Sequence, residues 1–409
     1  EKRRRLGPVF NGWHHGEGVY DGSFRRKVYE DGGDIYVYDR ASNTGKRLTH
    51  TRERERDPRL VQDGIVYRSG NNLFVVRTDG ARRQLTDLRP GTKPSESARD
   101  TLLYEQQLEL FETISTRKKR REEGERENER LEDSRAWPPV YYFGSKELDQ
   151  LSVDRHLRFA AFVLDPPEDE KRTLVPAYVT ESGHVETATA RPKVGLDYKS
   201  RELYVQDLAR DTTYRIDLPV DSSRSHYIYG PHWGEWYGVI EARTYDNKDR
   251  WIIRLDPETG AASTLDHQHD EAWIQAPGIS SQGGRSSMGW LPDGRTFFFQ
   301  SEKTGRSHIY TADVESGVVT QVTRGDFDVY DPMVSRDGRT WFFSSNEASP
   351  FERHFYRMPI EGGERMPLSE SIDEAALNPD EETLAVLRSE VNHPPEIYLD
   401  GERITHSPT

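Results

Sequence analysis

The 409-residue chain contains no cysteine. That absence removes disulfides, thiolate metal ligands and cysteine nucleophiles together, and it leaves the redox compartment open. Long apolar runs are missing too. No stretch approaches the roughly 18 consecutive apolar residues that a membrane helix needs, and residues 1–8 lack the apolar core of a secretion signal. The expectation is a soluble chain without a membrane partner, either periplasmic or cytoplasmic, and the start at Glu1 rather than Met suggests a processed or truncated polypeptide. Positive charge is not in excess either. The 57 basic residues face 71 acidic ones, a formal net charge of -14, which repels phosphate backbones, so no nucleic-acid partner is expected.

Catalytic signatures are equally scarce. The strained strand-to-helix turn that presents a serine nucleophile needs Gly-x-Ser-x-Gly, and the nearest approaches, Gly278-Ile-Ser-Ser-Gln282, Gly284-Arg-Ser-Ser-Met288 and Gly305-Arg-Ser-His-Ile309, all lack the final glycine. No alternation of strands and helices supports a hydrolase core. Walker, Rossmann and His-Glu-x-x-His patterns are absent, and no cofactor is implied.

What the chain does have is aromatic residues and self-similarity. Eight Trp, twenty Tyr and fifteen Phe are far more than a disordered chain carries. Asp293-Gly-Arg-Thr-Phe-Phe-Phe-Gln-Ser-Glu302 recurs as Asp337-Gly-Arg-Thr-Trp-Phe-Phe-Ser-Ser-Asn346, a polar turn followed by an aromatic β run, with related copies at 379–390 and 154–164. An alternating strand follows each, such as His308-Ile-Tyr, His354-Phe-Tyr or Glu396-Ile-Tyr. A turn then leads to a short strand ending in Leu-Thr, Val-Thr or Ile-Thr, at Thr49, Thr86, Thr323 and Thr405.

Hairpins with Asp-Gly and Gly-Gly turns, repeated roughly every 40–50 residues, are the pattern of propeller blades. The fold class expected is therefore all-β: a single β-propeller over 1–409. Units at 9–50, 57–88, 93–145, 146–220, 222–268, 286–324, 328–369 and 371–406 give eight four-stranded blades, with seven as the alternative because the third unit is irregular. There, after Thr101-Leu-Leu-Tyr104, the residues Leu108, Phe111 and Ile114 follow helical spacing, and residues 117–135 are almost all Arg, Lys, Glu and Asn. Residues 105–137 are expected to form a charged helical insertion on the rim of the third blade.

Three segments could face a ligand or partner. The long connection Asp266-His-Gln-His-Asp-Glu-Ala-Trp-Ile-Gln-Ala-Pro-Gly278 places His267 and His269 on one face of an extended strand, near Asp270 and Glu271. A metal shell is conceivable there, but the expected reading is no metal, with polar groups capping strand ends and Trp273 anchoring the loop at the channel mouth or against another domain. Asp326, Asp328 and Asp331 match no calcium loop with a defined turn glycine, and are expected to cap strand ends. The segment Val179-Thr-Glu-Ser-Gly-His184 lengthens the fourth unit and offers Glu181, His184 and Arg191 to a ligand or partner.

The repeat Pro292-Asp-Gly-Arg-Thr-Phe-Phe-Phe, with His308-Ile-Tyr and Gln321-Val-Thr after it, resembles the N-terminal propeller of the prolyl oligopeptidase group, in its dipeptidyl peptidase IV branch. Val175-Pro-Ala-Tyr-Val-Thr-Glu-Ser-Gly183, His269-Asp-Glu-Ala-Trp273 and Gly289-Trp-Leu-Pro-Asp-Gly294 resemble large bacterial members of that branch. The likeness runs from about residue 30 to the end; the generic repeat is shared with other propellers, and the three longer segments are more specific. It implies a propeller that caps a C-terminal α/β-hydrolase domain with a Ser-Asp-His triad and admits short peptides. The chain stops at Thr409, where that domain is expected to begin, so no catalytic residue transfers. The parent protein is expected to be a serine peptidase, a hydrolase whose partners are a peptide substrate and that missing domain, with homo-oligomer formation open. The family also presents paired glutamates to the substrate amine. Here Tyr104-Glu-Gln-Gln keeps Glu105 but has Gln106 in the second place, which puts dipeptidyl specificity in doubt. The alternative is a free-standing TolB-like propeller that binds a protein partner.

Overall fold

The computed structural model describes residues 18–407 except 94–136, 168–171, 193–197, 280–286 and positions 22, 24, 63, 78, 379 and 391. Among the described residues every regular element is a strand, and none is a helix long and apolar enough to cross a membrane. Seven four-stranded antiparallel sheets follow one another along the chain, each ordered first to fourth strand without a crossover. They are the blades of a propeller, numbered here 1 (19–47), 2 (55–84), 3 (147–216), 4 (226–269), 5 (288–321), 6 (329–367) and 7 (374–403).

The expectation of eight blades is therefore corrected to the seven-blade alternative. The unit at 93–145 builds no sheet of its own. Its described end, Val140–Tyr142, pairs in parallel with Asp87–Arg89, and a Gly91–Gly144 bridge extends the pair. Leu88 and Phe143 then bury themselves against Phe162 and Leu164 of blade 3. A parallel pair of three residues is a splice between blades. The helical insertion expected at 105–137 falls outside the described residues, Trp137 apart.

Successive side chains of a strand point to opposite faces, and in a propeller both faces of a blade meet a neighbour. Blade 4 shows the result. Ile240 and Ile253 pack with Phe159, Val163 and Val205 of blade 3, whereas the adjacent Val239 and Ile252 pack with Phe297, Phe299 and Tyr310 of blade 5. In the same way Tyr67 faces blade 1 and Val66 faces blade 3, and Phe343 faces blade 5 while Phe342 faces blade 7. This is why the strands read as unbroken aromatic and aliphatic runs instead of alternating with polar residues. The seam between blades 7 and 1 differs. There Asp380 accepts bidentate hydrogen bonds from Arg40 at 3.2 and 2.7 Å, Arg336 lies 3.6 Å from the same carboxylate and donates to the Ser23 carbonyl at 3.3 Å, and no apolar cluster spans the seam among the described residues.

The repeat's polar residues have definite tasks. The turn aspartate accepts the two N–H groups that enter the second strand: Asp293 Oδ1 from Arg295 and Thr296 at 2.9 and 2.8 Å, Asp154 Oδ1 from Arg158 and Phe159, both at 2.7 Å. Gly294, at φ 65°, supplies the left-handed turn geometry that a β-carbon disfavours. The threonine closing blades 1, 2, 5 and 7 accepts an N–H of the third strand, with Thr49 Oγ1 on Ile35, Thr86 on Leu73, Thr323 on Ile309 and Thr405 on Ile397, all within 2.8–3.0 Å. The first strands of blades 2, 4 and 6 share a bulge before proline, at Asp57-Pro58, Gly230-Pro231 and Asp331-Pro332. The residue before each proline has positive φ.

Thr323 is fully buried, so replacing it with isosteric valine strands the Ile309 N–H. The cost of such a group is about 1–3 kcal/mol. Thr323→Val should lower the urea unfolding free energy by that amount, and Thr323→Ser, which keeps the acceptor, should recover most of it.

Candidate functional site

Strand direction alternates within a blade. One end of the ring therefore carries the turns between first and second and between third and fourth strands (the turn end). The other carries the turns between second and third strands and the blade-to-blade connections (the crossover end). Every candidate residue from the sequence that is described, apart from Asp331 within the first strand of blade 6, lies at the crossover end. The excursion between blades 2 and 3 starts there, the loop after His269 starts there, and a two-stranded hairpin, Arg172–Ala177 with Glu186–Pro192, rises there between the second and third strands of blade 3.

On blade 4 the fourth strand, Ala262–His269, pairs His269 with Asp249 and His267 with Trp251 across from it. The two histidines share a face, and both turn to one acceptor. His267 Nε2 and His269 Nδ1 lie 2.8 and 2.9 Å from Asp249 Oδ1, while Arg224 pairs with Asp249 Oδ2 and holds Asp246 at 2.6 Å. The Trp251 ring stacks on His267 at 4.8 Å, tilted only 2°. Glu271 approaches His269 Nε2 at 3.5 Å. Burial pushes the Asp249 carboxyl up, but the hydrogen bonds from His267, His269 and Arg224 outweigh it and hold the group below its ordinary value. The Asp249 hydrogen bond and charge, with a smaller part from Glu271, raise His269. Burial likewise pushes the Asp246 carboxyl up, but hydrogen bonds from Arg224, Thr244 and the Lys248 N–H outweigh it and set the group at about 2. Among the described residues no group of three or more His, Asp or Glu side chains is arranged to hold a metal ion.

Beyond His269 the loop is pinned. Asp270 Oδ1 caps a turn by accepting from Ala272 and Trp273 N–H groups at 2.7 and 3.2 Å. Ile274 is buried; its N–H reaches the Asn247 carbonyl at 2.7 Å, and its carbonyl accepts from Arg243 at 2.7 Å. The Glu302 carboxyl, pushed up by burial, accepts the Gln275 and Ala276 N–H groups at 3.0 and 2.6 Å. Trp273, 65% exposed, is thus an aromatic side chain held in water by a fixed backbone. Other apolar groups are exposed at this end: Trp137, Tyr198, Phe351 at 95% exposure, and the hairpin's Tyr178 and Val179, the last at 98%. Tyr198 stacks on Tyr245 at 4.4 Å, and the edge of Tyr227 meets Tyr245.

The remaining candidates divide. Glu181 and His184 are exposed in the hairpin turn, where Thr180 Oγ1 donates to the His184 carbonyl at 2.6 Å. They are separate from the His267–His269 group in the fold. Arg191 lies on the hairpin strand with its side chain undescribed, and Glu105 falls outside the described residues. Asp326 and Asp328 pair with Arg306, and Asp328 also accepts the Ser307 N–H at 2.8 Å; Asp331 belongs to the blade 6 bulge. Sequence reasoning missed Arg224, Asp246, Asp249 and Glu302. The acidic turn at 245–249 is visible in the sequence, but only the strand register sets it against the two histidines.

The ring of consecutive four-stranded sheets defines a β-propeller, with ion pairs and exposed aromatic groups gathered at its crossover end. Residues 169–395, more than half of the chain, match the family described as the dipeptidyl peptidase IV (DPP IV) N-terminal region; the chain belongs to that family. Among solved structures it is similar to a Porphyromonas gingivalis dipeptidyl peptidase 4, with TM-score 0.57 and 18% identity over 95% of this chain and 49% of that one. It is also similar to a putative dipeptidyl aminopeptidase IV from Bacteroides ovatus, with TM-score 0.58 and 12% identity over 93% of this chain and 50% of that one. An uncharacterized protein of Agrobacterium fabrum is 32% identical over 74 residues, 18% of this chain and 25% of that protein. The chain spans about half the length of the two solved chains.

The Asp249 group sets a pH dependence with a definite sign. A raised His269 contributes stability that is complete below its ordinary value of 6.5 and is lost as pH rises through its folded value. The lowered Asp249 contributes above its ordinary value of 3.8 and loses that contribution as pH falls through its folded value. Between those ordinary values both contributions are complete. An NMR titration should show His269 titrating above 6.5, and Asp249→Asn should return it toward 6.5; an unmoved His269 would contradict the assignment.

Proposed function

We propose that the chain is the non-catalytic propeller of a DPP IV-like serine peptidase, which gates and orients peptides for an α/β-hydrolase domain. The observation that carries this reading is the family match over residues 169–395. Two features of the fold support it. The chain spans about half of each dipeptidyl peptidase chain it resembles, and the crossover end gathers fixed and exposed aromatic groups, Trp273 and Phe351 among them, of the kind that a second domain covers. The channel supports a route for an extended peptide. A cavity of about 440 Å³ is lined mainly by the first strands of blades 2 to 5, with Arg59, Arg68, Asp149, Gln150, Tyr229 and His232 among the lining residues, so charges of both signs and aromatic rings border it. In this reading the serine, its base and the oxyanion donors are supplied by the hydrolase domain, and the propeller contributes access and position.

The complete open reading frame and the isolated 409-residue chain should be compared with a fluorophosphonate serine probe. The expected outcome is labelling of the full product, at a serine in Gly-x-Ser-x-Gly, and none of the isolated chain. Labelling of the isolated chain, or a reading frame that ends at Thr409, would overturn the proposal, the latter in favour of a free-standing binding propeller.

A further inference from the structure

The turn end, opposite the surface just described, carries one exposed indole in a built setting. Trp236 sits in the turn between the first and second strands of blade 4 and is 72% exposed. One of its sides is stacked on His156 of blade 3, ring centroids 5.7 Å apart and planes 20° from parallel. The turn itself is fixed: Gly234 N–H bonds the Tyr237 carbonyl at 2.8 Å, and Glu235 pairs with Arg155 and approaches His156 Nε2 at 3.4 Å. A β-carbon on Gly234 would lie 2.6 Å from the Trp290 ring, so the turn is packed down on blade 5 and only a glycine fits beneath it. The indole is therefore held upright as a partition. A cavity of about 280 Å³ opens toward blade 3 and one of about 310 Å³ toward blade 5.

Charge selects what could fill these grooves. Their walls and the ion pairs on them gather eight carboxylates, the six of the lining (Asp154, Glu235, Asp256, Glu258, Asp293 and Glu315) with Asp207 and Asp313, against five guanidiniums, Arg155, Arg158, Arg210, Arg254 and Arg295, so an excess of negative charge remains after Glu235, Glu258 and Glu315 are paired. The aspartates are fixed by turn N–H groups, as Asp256 is by Glu258 and Thr259 and Asp293 by Arg295 and Thr296. Glu258 and Glu315 stand more than half exposed at the two outer lips. An electron-rich indole face between carboxylate-lined grooves attracts cations. It disfavours an anionic surface or a nucleic acid.

We propose that Trp236 and its two grooves form a docking site for a basic polypeptide segment, with one Arg or Lys side chain over the indole and flanking basic side chains in the grooves. The surface is separate from the crossover end, so it leaves that end free for a hydrolase domain.

The test is calorimetric titration of the 409-residue chain with an acetylated, amidated peptide of six arginines spaced by glycines, beside its glutamate counterpart. The arginine peptide should bind and the glutamate peptide should not. Trp236→Ala, a change at an exposed turn position, should weaken binding by roughly tenfold, and Glu235→Gln with Glu315→Gln should weaken it and flatten its salt dependence. Trp273→Ala, at the far end, should leave it unchanged. Equal binding by wild type and Trp236→Ala would show general attraction to an acidic protein and overturn the proposal, as would absence of binding. Self-association in sedimentation that Trp236→Ala abolishes would overturn it in favour of a second copy of the chain.

Discussion

The structure depends on one constraint, which is that blades 2 to 6 have no free face. A sheet that must bury both sides against neighbours cannot alternate apolar and polar residues. Val239 beside Ile240, Ile252 beside Ile253 and Phe342 beside Phe343 serve two different cores from consecutive positions. Polar groups are thereby driven to strand ends, where Asp293 and Asp154 satisfy turn amides and Thr49, Thr86 and Thr323 satisfy third-strand amides. The buried exceptions are paired: Arg250, almost wholly enclosed, donates to Glu241 at 2.5 Å and to the Gln300 carbonyl at 2.6 Å. Removing either partner of such a pair would leave a buried charge alone.

The same constraint sorts chemistry by place. With the blade interiors committed to packing, recognition is left to the two ends and the channel. The ends are unequal because connections between blades, and insertions between second and third strands, all leave from one of them. Long segments can grow at the crossover end without disturbing any ladder. At the turn end, hairpins of a few residues leave room for a single projecting group such as Trp236. An asymmetric protein thus arises from a repeated unit through strand direction alone.

Much of this was legible in the sequence. The repeated turn, the aromatic run and the closing threonine marked all seven blades within a few residues at one end or both, because each carries out a local task that its residue type reveals. The sequence left the count between eight and seven because residues 93–145 have a unit's length, whereas only Val140–Tyr142 of it joins a sheet among the described residues. Length and a few apolar residues do not distinguish a splice from a blade. The site was half legible. His267 and His269 announced a shared face by their spacing, but their acceptor, Asp249, is set by a register that shifts between Ile252 and Ile253, and spacing along one strand carries no information about that shift. The bulges at Asp57-Pro58, Gly230-Pro231 and Asp331-Pro332 are recognisable only once the first strands are aligned in space.

The seam between blades 7 and 1 makes the ring something other than a circle. Among the described residues six junctions are apolar cores, and the seventh is the exposed Arg40–Asp380 pair with Arg336 beside it. Topologically the molecule is a linear stack of sheets bent until its ends touch. In such arrays each unit is stabilised by its neighbours, so blades 1 and 7 have one oily neighbour where every other blade has two. Their outer faces meet through ions that water can replace at little cost, which makes the first and last blades the frayed ends of the array and ionic strength the variable that acts on how tightly it closes.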